Sequence, residues 1–162
     1  MPLIHLTTFI HAPVKRVFEL SRSIDFHTAS MSDSNETAIE GVTSGLINLD
    51  ETVTWRAKHF FKNRILISKI TSMEPYQFFE DSMVSGDFKS LRHEHHFKEI
   101  SNGSVMIDLF YFEVPFGVVG QFFNFIFLEG YMRKLLSKRN EHLKQVAETN
   151  LWKKYLPEPV FL

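Results

Sequence analysis

The sequence predicts an α+β protein in which an antiparallel sheet carries one long C-terminal helix across its face. Three observations support this. Strand-like segments follow one another from Glu51 to Val114 with no helical pattern between them. An Ala12-Pro13 pair opens a short helix after the first strand, where the ring angle of proline is preset for helix and its missing amide costs nothing. The closing segment, Val114 to Leu128, reads VPFGVVGQFFNFIFL without a charge before an amphipathic helix continues to about Glu148. A sheet with a single helix across it has a concave face to fill, and here the helix brings phenylalanine to that face. The pattern therefore predicts a pocket for an apolar guest.

Each element has its own justification. Leu3 to His11 alternates as a strand, and Val14, Val17, Phe18 and Ser21 give the next helix an inner stripe. A second short helix is expected over Ile24 to Met31, with Ser23 as its cap. Thr37 to Ile47 reads as a strand interrupted near Gly41 and Gly45. A meander follows: Glu51 to Phe60, Arg64 to Met73, Tyr76 to Ser85, Lys89 to Ile100 and Ser104 to Val114. Asn102-Gly103 is the strongest turn signal, since both residues tolerate positive φ. A two-residue loop there would pair Ser101 with Ser104 and set Phe97 opposite Asp108, His95 opposite Phe110 and His93 opposite Phe112. On the final helix Phe122, Ile126, Met132, Leu135, Leu136, Leu143 and Val146 recur at helical spacing. The expected organisation is one domain over 1–149 with a Pro-containing tail over 150–162.

Composition narrows the function classes. The 162 residues are 44% hydrophobic, enough for one sizeable core. The net charge is −1 and the basic residues are scattered, so the electrostatic footprint of nucleic-acid binding is missing. The chain has no cysteine, which rules out a disulfide framework, a thiolate nucleophile and cysteine-based metal sites. The N-terminus lacks the basic head and apolar block of a signal peptide, so the expected location is cytoplasmic. The uncharged Val114 to Leu128 block falls short of the ~20 residues that span a bilayer, yet it is compatible with transient contact at a membrane surface. Monomer and homodimer both remain open.

The sequence resembles the START-like superfamily of polyketide cyclases/dehydrases (SRPBCC) and lipid-transfer proteins. The resemblance rests on the Ala-Pro helix after the first strand, on ETVTWRAKHF and GDFKSLRHEHHF in the meander, and on PFGVVGQFFNFIFLEGYMRKLLSKRNEHLK. It covers the chain to about Glu148 and is best with a bacterial ligand-binding branch, which brings no settled activity with it. The resemblance implies a helix-grip fold. In such a fold a curved antiparallel sheet of about six or seven strands wraps around the long helix and encloses a cavity for hydrophobic molecules.

Alternation then selects the residues that face inward. Val53, Trp55, Ala57 and His59 share one face of their strand, and Leu91, His93, His95 and Phe97 share one face of theirs, so histidines enter an apolar chamber. Asp108 falls on that face too. For Tyr76 to Ser85 the inward side depends on the loop at Gly86, and the reading places Phe79, Asp81 and Met83 inward. The candidate ligand-binding set is Trp55, His59, Asp81, Met83, His93, His95, Phe97, Phe110, Phe122 and Ile126.

Three readings compete for the polar members. As a ligand anchor, the imidazoles bond a carbonyl or hydroxyl while the aromatics cover hydrocarbon. As core histidines, they are satisfied by Asp81, Asp108 or backbone carbonyls. As a catalytic group, His93 or His95 with Asp108 moves a proton in an aldol cyclisation or dehydration. A metal held by His-x-His, His59 and a carboxylate is a further arrangement, but no spaced metal motif supports it, and neither metal nor cofactor is expected. Phe122, Phe123, Phe125 and Phe127 go nearly all round the helix and need a cover: a gate over cargo, a second subunit or a docked partner. Arg133, Lys134, Lys138 and Arg139 read as the helix's solvated face. The expected function is binding or carriage of a hydrophobic small molecule such as a lipid, isoprenoid or polyketide-like compound. A cyclase/dehydratase and an interaction module are the alternatives.

Overall fold

The computed structural model describes residues 3–115 and 118–157, and over 118–126 the backbone alone. Strand β1 (Leu3–Ile10) leads into helices α1 (Val14–Ser21) and α2 (Ile24–Ser30). Strands β2 (Thr37–Gly41), β3 (Thr52–His59), β4 (Lys62–Glu74), β5 (Phe78–Ser85), β6 (Ser90–Ile100) and β7 (Gly103–Glu113) follow, and helix α3 (Val118–Glu148) closes the fold. The seven strands form one sheet in the order β1-β7-β6-β5-β4-β3-β2. Every neighbouring pair is antiparallel, so β1 closes against the last strand rather than the next one. Register shifts at Ala38/Glu40, Ile67/Ser68 and Ile70/Ser72 bend the sheet so that it curves around α3.

Local chemistry explains the two short helices. Pro13 stands at the N-cap of α1 with extended backbone, one residue earlier than the first helical position expected. The Ser23 hydroxyl accepts the Phe26 amide and caps α2. Phe18 meets Tyr76, Phe79 and Phe97 edge-on, with centroids 5.5, 5.7 and 5.3 Å away, which locks α1 over the sheet. Leu143, Val146 and Ala147 of α3 enter the same cluster. A second cluster of Ile4, Leu91, Phe110, Phe112 and Leu136 lies nearer the start of α3.

Several expectations need correction. The Thr37 strand ends at Gly41, whose positive φ of 76° turns the chain out of the sheet. The β6–β7 turn is Ser101-Asn102, so Ile100 pairs with Gly103 and the register moves by two residues: His95 faces Asp108, His93 faces Phe110 and Phe97 faces Met106. The cause is Gly103, where a Cβ would stand 2.2 Å from the Ile10 carbonyl oxygen; the glycine serves the close approach of β1 and not the turn. A shift of two keeps every side chain on its expected face. Residues 150–157 pack on the core through Trp152 and Leu156, so the domain's packing continues past residue 149.

The β3–β4 turn is also tight. His59 pairs with Lys62, and Phe60 and Phe61 between them have φ of 50° and 63°. Side chains without glycine's freedom rarely adopt this left-handed conformation, at a cost of about 1–3 kcal/mol each.

Candidate functional site

Between the concave face of the sheet and helices α2 and α3 lies a cavity of about 470 Å³. Val53, Trp55, Ala57 and His59 line it from β3, as alternation requires, and Leu135, Leu136 and Arg139 line it from α3. The exposed lining residues Phe60, Ile65, Asp87, Pro115 and Phe127 mark its rim.

The polar wall is built on the β5–β6–β7 register. Asp108, fully buried on β7, lies opposite His95 and diagonal to His93. Its Oδ1 stands 3.0 Å from His93 Nε2 and 2.9 Å from His95 Nδ1, the latter an ion-pair contact without hydrogen-bond alignment. Asn140 Nδ2 donates to its other oxygen at 2.7 Å. The far side of His95 faces Asp81, with Nε2 to Oδ2 at 3.2 Å. Phe79 stacks on the His95 ring at 4.2 Å, and Phe110 stands edge-on to His93 at 5.2 Å.

These contacts push the two imidazoles in opposite directions. For His95, burial opposes the charged ring, but the Asp108 and Asp81 carboxylates on either side outweigh it and raise its pKa above 6.5. A carboxylate only accepts, so an imidazolium suits both partners. For His93, burial and the neighbouring His95 charge outweigh Asp108 and lower its pKa to about 4. Burial alone would raise Asp108 and Asp81, yet the histidines hold both below the usual carboxylate value, Asp108 well below.

A second polar group flanks the first. His59 Nδ1 is 2.8 Å from the Tyr131 hydroxyl, and burial holds the His59 ring towards its neutral form. His27 stacks on Trp55 at 4.2 Å, and its Nε2 lies 2.6 Å from Glu36. Both pairs border the cavity.

Among the described residues Asp81, His93 and His95 each bring one donor atom within 4.8 Å of the others, a nitrogen–oxygen set of the kind that suits a divalent transition metal. His59 is not part of that set. As arranged, the donors are joined to one another and to Asp108 by hydrogen bonds and ion pairs.

Of the residues singled out from the sequence, Trp55, His59, Asp81, His93, His95 and Phe110 border the cavity. Asp108 stands behind the two histidines. Phe97 does not border it, because its ring is taken up by Phe18 and Phe79 under α1. Met83 does not border it either; it folds against Gly86, where a Cβ would lie 2.8 Å from the methionine sulfur. The side chains of Phe122 and Ile126 lie outside the described residues.

Sequence reasoning missed Arg139, which is 3% exposed and not solvated. It donates to the Ser21 carbonyl at 3.1 Å and to Asn140 at 3.2 Å, and lies 3.9 Å from Asp108. The signal was present: Arg139 follows Leu135 and precedes Leu143 by one helical repeat, which puts it on the buried stripe. Arg133 and Lys138 are surface residues as expected, bonded to the His5 carbonyl and to Asp33. Tyr131 and His27 were also passed over.

No family model and no curated protein sequence matches the chain. Solved structures do. The Zhui aromatase/cyclase of Streptomyces sp. R1128 superposes with a TM-score of 0.73 at 9% identity over 98% of both chains. A protein of Thermus thermophilus gives 0.70 at 13% identity, over 90% of this chain and 99% of its own. The ginseng major latex-like protein 151 from Panax ginseng gives 0.65 at 13%, over 91% and 98%. At such identities the likeness establishes architecture alone. The seven-stranded curved antiparallel sheet around a long C-terminal helix is the helix-grip arrangement expected from the sequence, and these solved structures share that architecture.

Proposed function

We propose that this protein binds or carries a hydrophobic small molecule, of lipid, isoprenoid or polyketide-like chemistry, inside the cavity. The observation that carries the reading is a chamber of about 470 Å³ whose walls are mostly apolar, with one buried polar cluster to orient a guest. Asp81, with one oxygen on His95, is suited to accept a hydrogen bond from a ligand hydroxyl. The Arg139 guanidinium can donate to a carbonyl. A largely apolar molecule with an oxygenated end fits this division of labour.

Gentle purification, native mass spectrometry and extraction would identify the guest. Asp81→Ala should then weaken its affinity roughly 10- to 100-fold, the worth of a hydrogen bond to a charged group. Unchanged affinity would remove the polar-anchor role.

One observation favours a cyclase or dehydratase as a second reading. Two adjacent imidazoles with pKa values pushed apart form a matched acid and base. His93, neutral, would take a proton from the carbon beside a carbonyl. His95, charged, would protonate the carbonyl oxygen or a departing hydroxyl. Turnover lost in His93→Gln with binding retained would establish this reading; turnover unaffected would reject it.

A further inference from the structure

The β3–β4 turn is shaped against the preference of its residues. Reversing the chain here requires left-handed backbone at two consecutive positions, which Asn-Gly would supply without strain, yet the turn holds Phe60 and Phe61. Phe61 is 96% exposed and Phe60 45%. The Phe60 ring lies 5.6 Å from Phe127 of α3, itself 65% exposed, so the hairpin tip and the helix present one apolar patch. That patch is the cavity's rim, which Phe60, Ile65 and Phe127 border.

The charge around it has one dominant sign. From Arg56 to Arg64 the chain reads RAKHFFKNR, with cations and no carboxylate. Arg64 is paired with Asp87 at 2.9 Å, while Lys58 and Lys62 are exposed and, among the described residues, have no carboxylate partner. Exposed aromatics flanked by lysines match the two layers of an anionic bilayer surface, apolar below and negative above. A second copy is a poorer occupant. A two-fold contact through this tip would bring the lysines of both copies together.

We propose that the Phe60-Phe61 tip, with Phe127, docks on an anionic phospholipid bilayer and that Lys58 and Lys62 engage the headgroups, so that the cavity rim opens onto the membrane. What passes through that opening rests on the carrier reading; the docking itself does not.

The test is co-sedimentation with vesicles of phosphatidylcholine alone or mixed with phosphatidylglycerol. The wild type should bind the mixed vesicles roughly 10- to 30-fold more tightly than the neutral ones, as two surface lysines would give. Joint replacement of Lys58 and Lys62 by Gln should erase that difference. Phe61→Gly should weaken binding about tenfold or more to both vesicle types while holding or raising the thermal midpoint, because glycine accepts the turn's conformation. That midpoint separates loss of docking from loss of fold. Failure of the wild type to bind mixed vesicles, or wild-type binding by Phe61→Gly, would overturn the proposal. So would a Phe61-dependent dimer seen by sedimentation without lipid, which would assign the tip to a second copy. Uptake of the co-purified ligand in solution should be the same in Phe61→Gly and wild type. Wild-type protein that takes up ligand but does not bind mixed vesicles therefore counts against docking alone, and uptake absent from the wild type counts against the carrier alone.

Discussion

Asp108 organises the interior because its two oxygens meet His93, His95 and Asn140 while Arg139 stands within 3.9 Å. The buried charges balance if Asp81 and Asp108 are matched by Arg139 and a protonated His95, which leaves His93 neutral. An unmatched buried charge would cost several kcal/mol, so this balance is what makes a polar cluster tolerable here. It has a pH signature. His93 titrates near 6.5 when unfolded and at about 4 when folded, so between those values the unfolded chain binds more protons and stability falls as pH falls. His95, raised in the fold, contributes fully below 6.5 and loses that contribution as pH rises through its folded value. The thermal midpoint measured from pH 4 to pH 8 should therefore decline on the acid side of about 6.5, and His93→Gln should flatten that decline. An unaltered acid slope in the variant would show that His93 is not the group responsible. Strand alternation made His93, His95 and Asp108 legible in the sequence, since period two fixes a face whatever the register; for Asp81 the pattern left either face open, because the side turned inward depends on the connection at Gly86. Arg139 was not legible by composition. It sits among Arg133, Lys134 and Lys138, and only the meeting with Ser21 and Asp108 across the core makes its burial tolerable.

At the scale of elements, the β6–β7 hairpin sets which residue faces Asp108. A glycine after asparagine reads as the turn itself, yet Gly103 begins β7 and admits the Ile10 carbonyl at a distance no Cβ allows. That contact joins β1 to β7, a pairing of residues about a hundred positions apart, and no local pattern announces it. Gly103→Ala should cost ~2–4 kcal/mol, since it adds a backbone clash to a φ of 144°. Denaturant unfolding should show the midpoint lowered with the slope unchanged, and a wild-type midpoint would mean that β1 does not approach so closely. Elements governed by their own residues were legible for the same reason that this pairing was not. The capped α2, the meander and the Leu135, Leu136, Leu143, Val146 stripe of α3 each depend on neighbours along the chain. The β3–β4 turn is one residue shorter than the strand pattern predicts, because no sequence rule expects two phenylalanines in left-handed backbone.

For the whole molecule, the cavity is mostly apolar surface that the described residues leave unfilled, and a bound guest would take that surface out of water. A ligand that binds only the folded state stabilises it by mass action, about 2.7 kcal/mol at a hundredfold excess over Kd. For a domain of this size that corresponds to roughly 5–11 °C in Tm. The protein as isolated with its guest should therefore melt at a higher temperature than protein stripped by organic extraction and refolded, and returning the extracted compound should restore the difference. Ala57 offers the discriminating change. It is buried on β3 between Trp55 and His59 and borders the cavity, so Ala57→Phe would project a ring into space now open. The ligand-free variant should melt within a few degrees of stripped wild type, because the added ring enters a void and not a packed core. Its ligand-induced rise in Tm should be lost, since ring and guest compete for one volume. A full rise in Ala57→Phe would place the guest elsewhere on the molecule. A collapse of the variant's own Tm would mean that protein already occupies the space beside Ala57 and that the chamber is smaller than about 470 Å³.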